Sequence, residues 1–506
     1  MGLFRGLAGR LPGWAVTTAR VIGRHRVFAI LMAAGLVLRV LTQVAYRPAL
    51  VYIDSDKYLY HSRGADPVGY RLLLWPLQRL GGLGVVAAAQ HVLGLAMAAA
   101  LYALLRRRGA ARWLAAIAAA PLLLDAYQLQ AEQTVMPDVM FEALIVAGLA
   151  VLLWRKAPNA WQIAAGGLLL GAAADVRQVG EVLILPAVVF ALAASGRWRR
   201  RFAHGALAIV TFTLPVLAYL ATVGAATGSF SLTQRSYILY GRAAFAADCA
   251  TLKIPQNERA LCPPRPVASR LGIDGIINDP RGPLLTYIPP PGMSAVSAAE
   301  SVERAVLKQQ PLAVVSSVDR DFVKLFALTR HQSPGDSPIS RWQFQTFYPT
   351  YPTLITLHYV SQVKPGGGTP AVVKPLAALL RGYQLHGGYT PGPLFAIAGL
   401  LGIAGALGLG GAAGPGHRAL TRSCLLATVT GAAVLLASDV FEFSWRYQLP
   451  ALVTLPVAGA LAITAITTRV TLARQAQLPA SSRAQLPAHE LAAPETPPAE
   501  PAMKQP

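Results

Sequence analysis

The sequence predicts an all-α polytopic membrane protein with about ten transmembrane helices. Two observations indicate this class: only 13% of the 506 residues are charged while 54% are hydrophobic, and the mean hydropathy is +0.45. A water-facing surface needs about twice that share of charged residues, so ordinary soluble domains are excluded. The first apolar run, 27–46, is too long for a signal-peptide core and lacks a cleavage site, so we expect it to be retained as a span.

Apolar runs of sufficient length to cross a bilayer recur along the chain. They cover residues 27–46, 82–105, 112–127, 137–154, 160–175, 181–196, 204–225, 392–411, 420–438 and 449–468. With these spans, basic clusters such as 106–108 and 197–201 all fall on the side of the N-terminus. Basic loops stay in the cytoplasm, so both termini are expected there, with the protein in the cell (plasma) membrane.

The formal net charge is +22. Such an excess of Lys and Arg can indicate nucleic acid, but here the basic residues lie in short clusters between apolar runs. No nucleic-acid-binding motif accompanies them. Positive-inside topology explains the charge, and no nucleic-acid partner is expected.

The runs divide the chain into four parts. Residues 1–225 form an N-terminal transmembrane module, and 226–391 form one extracytoplasmic insert, where hydropathy falls and Pro, Gly, Asp, Arg and Tyr accumulate. Residues 392–474 form the C-terminal transmembrane helices. Residues 475–506, rich in Pro, Ala and Gln, are expected to be a disordered cytoplasmic tail.

Three features of the insert support predictions of their own. Cys249 and Cys262 are expected to form a disulfide, the alternative being two free thiols. Residues 297–307 and 316–328 have helical spacing of apolar residues and are separated by Pro311. An aromatic segment is interpreted as an interfacial anchor rather than a ligand groove. Its members are Trp342, Phe344, Phe347, Tyr348 and Tyr351.

Acidic and basic side chains occur together mainly at the predicted outer ends of the spans. Ionisable groups near membrane depth are costly, so they indicate functional sites. The first outer loop, 46–81, contains Asp54, Asp56, Tyr58 and Arg71, and later outer turns contain Glu132, Asp138, Arg177 and Arg446. We expect a polar cavity that opens outward, the alternative being unrelated solvated turns. Arg39, inside the first span, is interpreted as snorkelling to the interface.

The chemistry that fits these residues is group transfer from a lipid-linked donor. Arginines can hold a phosphate and stabilise it as a leaving group, while a carboxylate removes a proton from an acceptor hydroxyl. Sugar transfer from a polyprenyl phosphate needs these two roles, and an in-line displacement inverts the anomeric centre. The sequence has no Gly-x-Ser-x-Gly elbow, His-Glu-x-x-His, phosphate-binding loop or zinc spacing.

Four segments resemble the polyprenyl-phosphate-dependent glycosyltransferases of the GT-C fold, which include protein O-mannosyltransferases and the enzymes that add aminoarabinose to lipid A. They are Asp54-Ser55-Asp56 with 67–71, residues 132–141, residues 166–177, and 446–450. The alanine-rich composition, long insert and expected disulfide resemble an actinobacterial member. The chain departs from the family in having Asp-Ser-Asp where an Asp-Glu pair is frequent, and in lacking a recognisable soluble C-terminal sugar-binding domain.

The resemblance implies a GT-C-like fold and an aspartate of the first outer loop as general base. That residue is Asp54 or Asp56. We favour Asp54 because it is closer to the end of the first span, which leaves Asp56 to orient the acceptor or bind a cation.

The same resemblance makes Asp138 or Glu132 the second acid, and it implies that Arg177 and Arg446 hold the lipid phosphate. Tyr58 and Arg71 complete the expected substrate-binding set. No cofactor is certain, and a divalent cation remains open.

The expected partners are a polyprenyl-phosphate-linked sugar donor, membrane lipids and an extracytoplasmic glycan, lipid or protein acceptor. The alternative function is a transporter or flippase of lipid-linked saccharide, which would need a polar cavity but no base.

Overall fold

Helices account for most of the computed structural model, which describes residues 23–59, 67, 69–228, 230, 232, 238–349, 369–409 and 415–477. The helices are α1 (Arg26–Ala45), α2 (Ser55–Leu59), α3 (Arg71–Arg107), α4 (Arg112–Leu124), α5 (Ala126–Gln133), α6 (Asp138–Leu153), α7 (Ala160–Val176), α8 (Ile184–Ala194), α9 (Trp198–Thr227), α10 (Ile238–Ala246), α11 (Arg265–Asn278), α12 (Pro283–Thr286), α13 (Ala295–Gln309), α14 (Pro311–Lys324), α15 (Lys374–Leu385), α16 (Gly392–Ala406), α17 (Pro415–Phe441) and α18 (Ala451–Gln477). Short 3-10 helices cover Gln178–Leu183, Gln256–Leu261 and Ile339–Trp342. The predicted tail lies outside the described residues from 478 onward.

Two short strands join the end of the first span to the start of the C-terminal part. Strands β1 (Tyr46–Arg47) and β2 (Ala371–Val372) pair antiparallel, with Tyr46 opposite Val372. This pairing places α15 beside the C-terminal end of α1. The prediction of an almost entirely helical fold is confirmed for the described residues.

Five helices among the described residues are long and apolar enough to cross a membrane, or six if the bent pair α4 and α5 is one span. The five are α1, α3, α9, α17 and α18. Helices α7 and α16, and the segment from Gln178 to Ala194, are apolar but shorter. The chain is therefore a multi-pass membrane protein. The count of ten spans is not confirmed, and the orientation of the termini stays a prediction.

Part of the predicted first outer loop, 46–81, is helical. Helix α3 begins at Arg71, and non-helical backbone angles at Gly81 and Gly82 divide it into two helices across a kink. The predicted start of the second span, at residue 82, coincides with this kink. Gly82 has φ 72°, a conformation that costs glycine little.

The insert has its own hydrophobic core, centred on Tyr240, Leu261, Ile276 and Val302. The two helices predicted within it are confirmed as α13 and α14. Pro311 occupies the first turn of α14, where its missing N–H is not needed.

The aromatic segment of the insert packs inside the protein. Phe344 stacks on Tyr46 and Trp342 lies against Tyr52, with ring centroids 5.4 and 4.6 Å apart. Trp342 and Phe344 are buried, so the anchor interpretation is wrong for these two rings. The reason is that the segment folds back onto the end of α1, which hydropathy does not reveal. Tyr351 lies outside the described residues.

The predicted disulfide between Cys249 and Cys262 is confirmed, with Cα atoms 5.7 Å apart. Replacing both by Ser should lower the free energy of unfolding by about 3 kcal/mol, because a loop of this length loses its closure constraint in the unfolded chain. Thermal unfolding of the purified protein with and without a reductant measures the effect. Cys424→Ala is the control, since Cys424 is a free thiol. An unchanged midpoint in reduced wild type would contradict the expectation.

Candidate active site

A cavity of about 160 Å³ lies where the first loop, the starts of α6 and α18, and the end of α7 meet. It is lined by Asp54, Tyr58, Pro67, Pro137, Val176, Arg177, Gln178, Val179, Ser438, Phe441, Arg446 and Tyr447. Four of these were predicted site residues: Asp54, Tyr58, Arg177 and Arg446. The structure therefore brings together side chains from three of the predicted outer turns.

Backbone pairing to the segment after α5 positions Asp54. The Leu50 N–H donates to Gln133 and the Val135 N–H donates back to Leu50, both at 2.9 Å. The Ser55 hydroxyl then donates to the Val135 carbonyl and accepts from the Tyr52 N–H, each at 2.8 Å. Since residue 135 lies just before α6, this pairing brings the Asp54 turn close to Asp138 at the start of that helix.

Asp138 holds the two arginines of the cavity. Arg446 donates through Nε to both carboxylate oxygens, at 2.9 and 3.0 Å, and Arg177 donates to Oδ1. Asp138 is 2% exposed and does not line the cavity. It therefore orients Arg177 and Arg446 from behind the cavity.

Aromatic rings surround Arg446 and fix the plane of its guanidinium. Its Cζ lies 5.0 Å from the Trp342 ring and 5.3 Å from Tyr447, whose ring is 5.0 Å from Arg177. Burial alone would lower the pKa of Arg446, but Asp138, Tyr447 and Asp54 raise it well above the ordinary value. Arg446 therefore stays charged at any working pH.

Asp54 is an ionised carboxylate in this arrangement. Lys57 Nζ lies 2.8 Å from one oxygen and Arg446 Nη1 lies 3.4 Å from the other. Burial alone would raise the pKa of Asp54, but the charges of Lys57 and Arg446 outweigh it and hold the pKa below the ordinary value. The 3.4 Å contact is long for a charge-assisted hydrogen bond, so Arg446 holds Asp54 only loosely.

A close approach of backbone segments positions Arg177. The Gly69 N–H donates to the carbonyl of Asp175 at 2.8 Å, and a Cβ on Gly69 would clash with that carbonyl. The loop therefore docks on the end of α7. Arg177 follows as the cap residue of this helix, in extended conformation, and points back over the Phe141 ring.

Glu132 lies away from the cavity, so the structure brings only Asp138 of the two candidate acids to the arginines. Glu132 is fully buried, with Arg39 Nη2 at 2.7 Å and His91 Nδ1 at 2.8 Å. The snorkelling interpretation of Arg39 is wrong. Its guanidinium bonds Glu132 and the carbonyls of Leu122 and Leu123 inside the helix bundle, in space that Gly94 leaves open.

Three further predicted site residues, Asp56, Tyr58 and Arg71, differ in how they relate to the cavity. Asp56 belongs to α2, but its side chain lies outside what the structure describes. Tyr58 lines the cavity and packs edge-on against Tyr70 at 5.3 Å. Arg71 does not line the cavity; it donates to the Lys57 carbonyl and lies over Trp75, so it supports the loop that carries Asp54.

Sequence reasoning assigned no role to Lys57 or Tyr447. Both were visible in the motifs, Lys57 three residues after Asp54 and Tyr447 next to Arg446. Lys57 is on the adjacent turn of α2 and pairs with the carboxylate. Tyr447 could not be assigned because its contact with Arg177 joins residues from distant parts of the chain.

The described residues contain no group of three or more His, Cys, Asp or Glu side chains that could hold a metal ion. Both carboxylates of the site are paired with cations instead: Asp54 with Lys57 and Arg446, and Asp138 with two arginines. The side chain of Asp56, the candidate cation ligand, lies outside what the structure describes, and we derive no step through a metal ion.

No protein-family model matches the chain, and no curated protein does. Solved structures do match it. The chain is similar to glycosyltransferases of the GT-C fold. One is the protein O-mannosyltransferase Pmt1-Pmt2 complex of S. cerevisiae bound to the sugar donor, with a TM-score of 0.32 and 16% identity over 45% of this chain and 37% of that one. A second is the oligosaccharyltransferase AglB of Archaeoglobus fulgidus with an inhibitory peptide and a dolichol-phosphate, with a TM-score of 0.42 and 14% identity over 92% of this chain and 53% of that one. A third is ArnT of Cupriavidus metallidurans bound to undecaprenyl phosphate, with a TM-score of 0.31 and 15% identity over 89% of this chain and 80% of that one.

The TM-scores of these three matches lie between 0.31 and 0.42. The chain spans less than two thirds of the length of the first two, 37% and 53%. Its own activity, substrates and partners are therefore proposals, and they rest on the cavity.

Proposed function

We propose that this protein is an inverting glycosyltransferase. It moves a sugar from a polyprenyl-phosphate donor to a hydroxyl of an extracytoplasmic glycan, lipid or protein of the cell envelope. One observation carries the proposal: a single cavity presents the carboxylate of Asp54 and the guanidinium groups of Arg177 and Arg446. A base and a phosphate clamp are the two groups that this reaction requires.

The charge balance of the site favours an anionic ligand. Its ion pairs join Lys57, Arg177 and Arg446 to only two carboxylates, Asp54 and Asp138. Among these described ion pairs the cations exceed the carboxylates by one, and Coulomb attraction in a partly buried site is stronger than in water. The planar guanidinium groups can bind two phosphate oxygens at once.

Donor binding would also activate the base. The contact from Arg446 Nη1 to Asp54 is 3.4 Å long and is weaker than the contact of the same arginine with Asp138. A phosphate that recruits this N–H group removes part of the charge that lowers the pKa of Asp54. Asp54 therefore becomes a stronger base only once the donor is in place.

The reaction then balances with the groups at hand. The acceptor hydroxyl gives its proton to Asp54, and its oxygen forms a bond to the anomeric carbon. The bond from that carbon to the phosphate oxygen breaks, and the lipid phosphate leaves with the electron pair. Arg177 and Arg446 stabilise the charge that develops on it. Attack opposite the leaving group inverts the configuration.

The pH dependence of the rate follows from the pKa of Asp54. The ionised form is active, so activity is complete above the folded pKa and is lost as pH falls through it. Since Lys57 and Arg446 lower this pKa, kcat/KM should stay constant from neutral pH down to the ordinary titration range of an aspartate and decline only below it. The decline of kcat should lie at higher pH, because kcat reports the donor complex.

Steady-state rates at several donor concentrations between pH 3 and 8 measure both profiles. Samples returned to neutral pH before assay control for unfolding. A midpoint of kcat/KM at about pH 6 or above would contradict an ionised Asp54 in the free enzyme.

One observation favours the transporter alternative. Arg39, Glu132 and His91 form an ionisable cluster inside the helix bundle, and such clusters occur in substrate and proton pathways. However, none of the three lines the cavity. Arg39 also makes hydrogen bonds to main-chain carbonyls that hold the bend between α4 and α5, which is a structural role.

The experiment that separates the two functions uses the purified protein in liposomes with radiolabelled polyprenyl-phosphate sugar and a membrane acceptor extract. Transfer of label to the acceptor, with release of polyprenyl phosphate, supports the glycosyltransferase. Movement of the donor between leaflets without transfer would refute it. Liposomes with heat-inactivated protein serve as the control.

A further inference from the structure

A second cavity, of about 510 Å³, lies between the first turns of α1 and the last turns of α3. Its lining is almost wholly apolar. Ala29 and Ala33, one turn apart, leave a depression that Met32 and Leu36 border. It shares no lining residue with the Asp54 cavity.

Two aromatic residues form the closed end of this groove. The Phe28 ring stacks on Tyr102 with centroids 3.9 Å apart and planes within 10°. The Tyr102 hydroxyl lies 2.5 Å from Nδ1 of His25, the residue just before α1. The polar groups therefore lie only at the helix end, while the groove along α1 offers hydrocarbon contact.

Cationic side chains surround that polar end. Burial lowers the pKa of His25, and the charges of Arg112, Arg106 and Arg24 lower it further. These arginines come from the residues just before α1, from the end of α3 and from the start of α4. Neither 1–53 nor 71–124 contains a single Asp or Glu, so no acidic residue of these segments compensates the charge.

We propose that this groove is a binding site for one anionic phospholipid, with an acyl chain along Ala29 and Ala33 and the phosphate among Arg24, Arg106 and Arg112. Hydrophobic burial supplies the contact along the acyl chain, and arginines near a membrane surface attract an anionic headgroup. The combination selects an anionic lipid over a zwitterionic one of the same length.

The site lies in the leaflet opposite the candidate active site. Helix α1 has 20 residues, or about 30 Å, and the groove begins at its first turn while the Asp54 loop follows its last. This separation makes the polyprenyl chain of the donor a poor candidate for the same groove. Basic segments of this kind favour the cytoplasmic leaflet, which is rich in anionic lipids.

Native mass spectrometry of the full chain in detergent tests the proposal, with phosphatidylglycerol and phosphatidylcholine of identical chains as probes. One phosphatidylglycerol should bind about tenfold more tightly than phosphatidylcholine. The variant Arg24→Gln with Arg112→Gln should lose that preference. Arg199→Gln with Arg200→Gln, exposed basic residues on α9, should keep it.

A second pair of variants tests the apolar groove without changing charge. Ala33→Trp should fill the groove and reduce binding of either lipid by tenfold or more. Ala34→Trp, on the same helix but outside the lining of the groove, should not. Four results would each overturn the proposal. They are equal binding of the two lipids, equal loss of the lipid preference in both double arginine variants, unchanged lipid binding in Ala33→Trp, and displacement of phosphatidylglycerol by polyprenyl phosphate.

Discussion

The Asp54→Asn variant is expected to lose sugar transfer by about 10²–10⁴-fold, the usual contribution of a positioned general base. The amide keeps the shape of the carboxylate and a hydrogen-bond acceptor, but it cannot take the proton of the acceptor hydroxyl. The loss should lie in kcat, while affinity for the donor lipid stays within about threefold or improves, since Arg446 is released from Asp54. Single-turnover transfer rates and equilibrium binding of the donor, measured separately, distinguish a loss in kcat from a loss of donor affinity.

Asp56→Asn is the matched control, two residues further along the chain in α2. It should retain most of the activity if Asp54 is the base, since Asp54 lies in the cavity with Arg446. Loss of activity in Asp56→Asn with full activity in Asp54→Asn would reverse the assignment. Full activity in both variants would end the proposal of a first-loop base.

The Arg446→Lys variant is expected to bind polyprenyl phosphate at least tenfold more weakly, since a hydrogen bond to a charged group is worth about 1.5–3 kcal/mol. Arg446 reaches both oxygens of Asp138 through Nε and still directs Nη1 at Asp54. A lysine is a single point charge and cannot span these groups. Equilibrium binding of a fluorescent or radiolabelled polyprenyl phosphate measures the loss.

A stability control is necessary because Arg446 is buried. Arg242→Lys is suitable: Arg242 is equally buried and pairs with Asp321 in the insert, but it does not line the cavity. Both variants should show a lower melting temperature, since each leaves a buried carboxylate with a poorer partner. Only Arg446→Lys should lose lipid affinity. Equal affinity in the two would show that Arg446 does not bind the phosphate.

Local sequence signals predicted the class of fold well. Apolar runs and the scarcity of charge indicate membrane helices because the bilayer imposes length and hydropathy on each segment separately. The same locality predicted the break at Pro311 and the pairing of Cys249 with Cys262, both of which are confirmed. It did not predict the helical stretch that runs from Arg71 to the kink at Gly81 and Gly82.

The candidate site could be predicted only as a set of residues. Asp54, Arg177 and Arg446 stood out because charges at outer span ends are costly and rarely incidental. The sequence did not show which of these side chains contact each other. Glu132 and Asp138 lie on either side of the turn between α5 and α6, and only the packing of Arg39 and His91 draws Glu132 into the bundle.

What the sequence determined by itself, then, was the membrane class, most of the helices and the chemical types in the site, since composition and hydrophobic periodicity are properties of short segments. The tertiary structure alone decided that Asp138 aligns two arginines, that Tyr447 lies between them, and that Trp342 of the insert packs on Arg446. These contacts join residues up to about 300 positions apart. They depend on how helices pack and turns are paired, and no single segment of the chain encodes that.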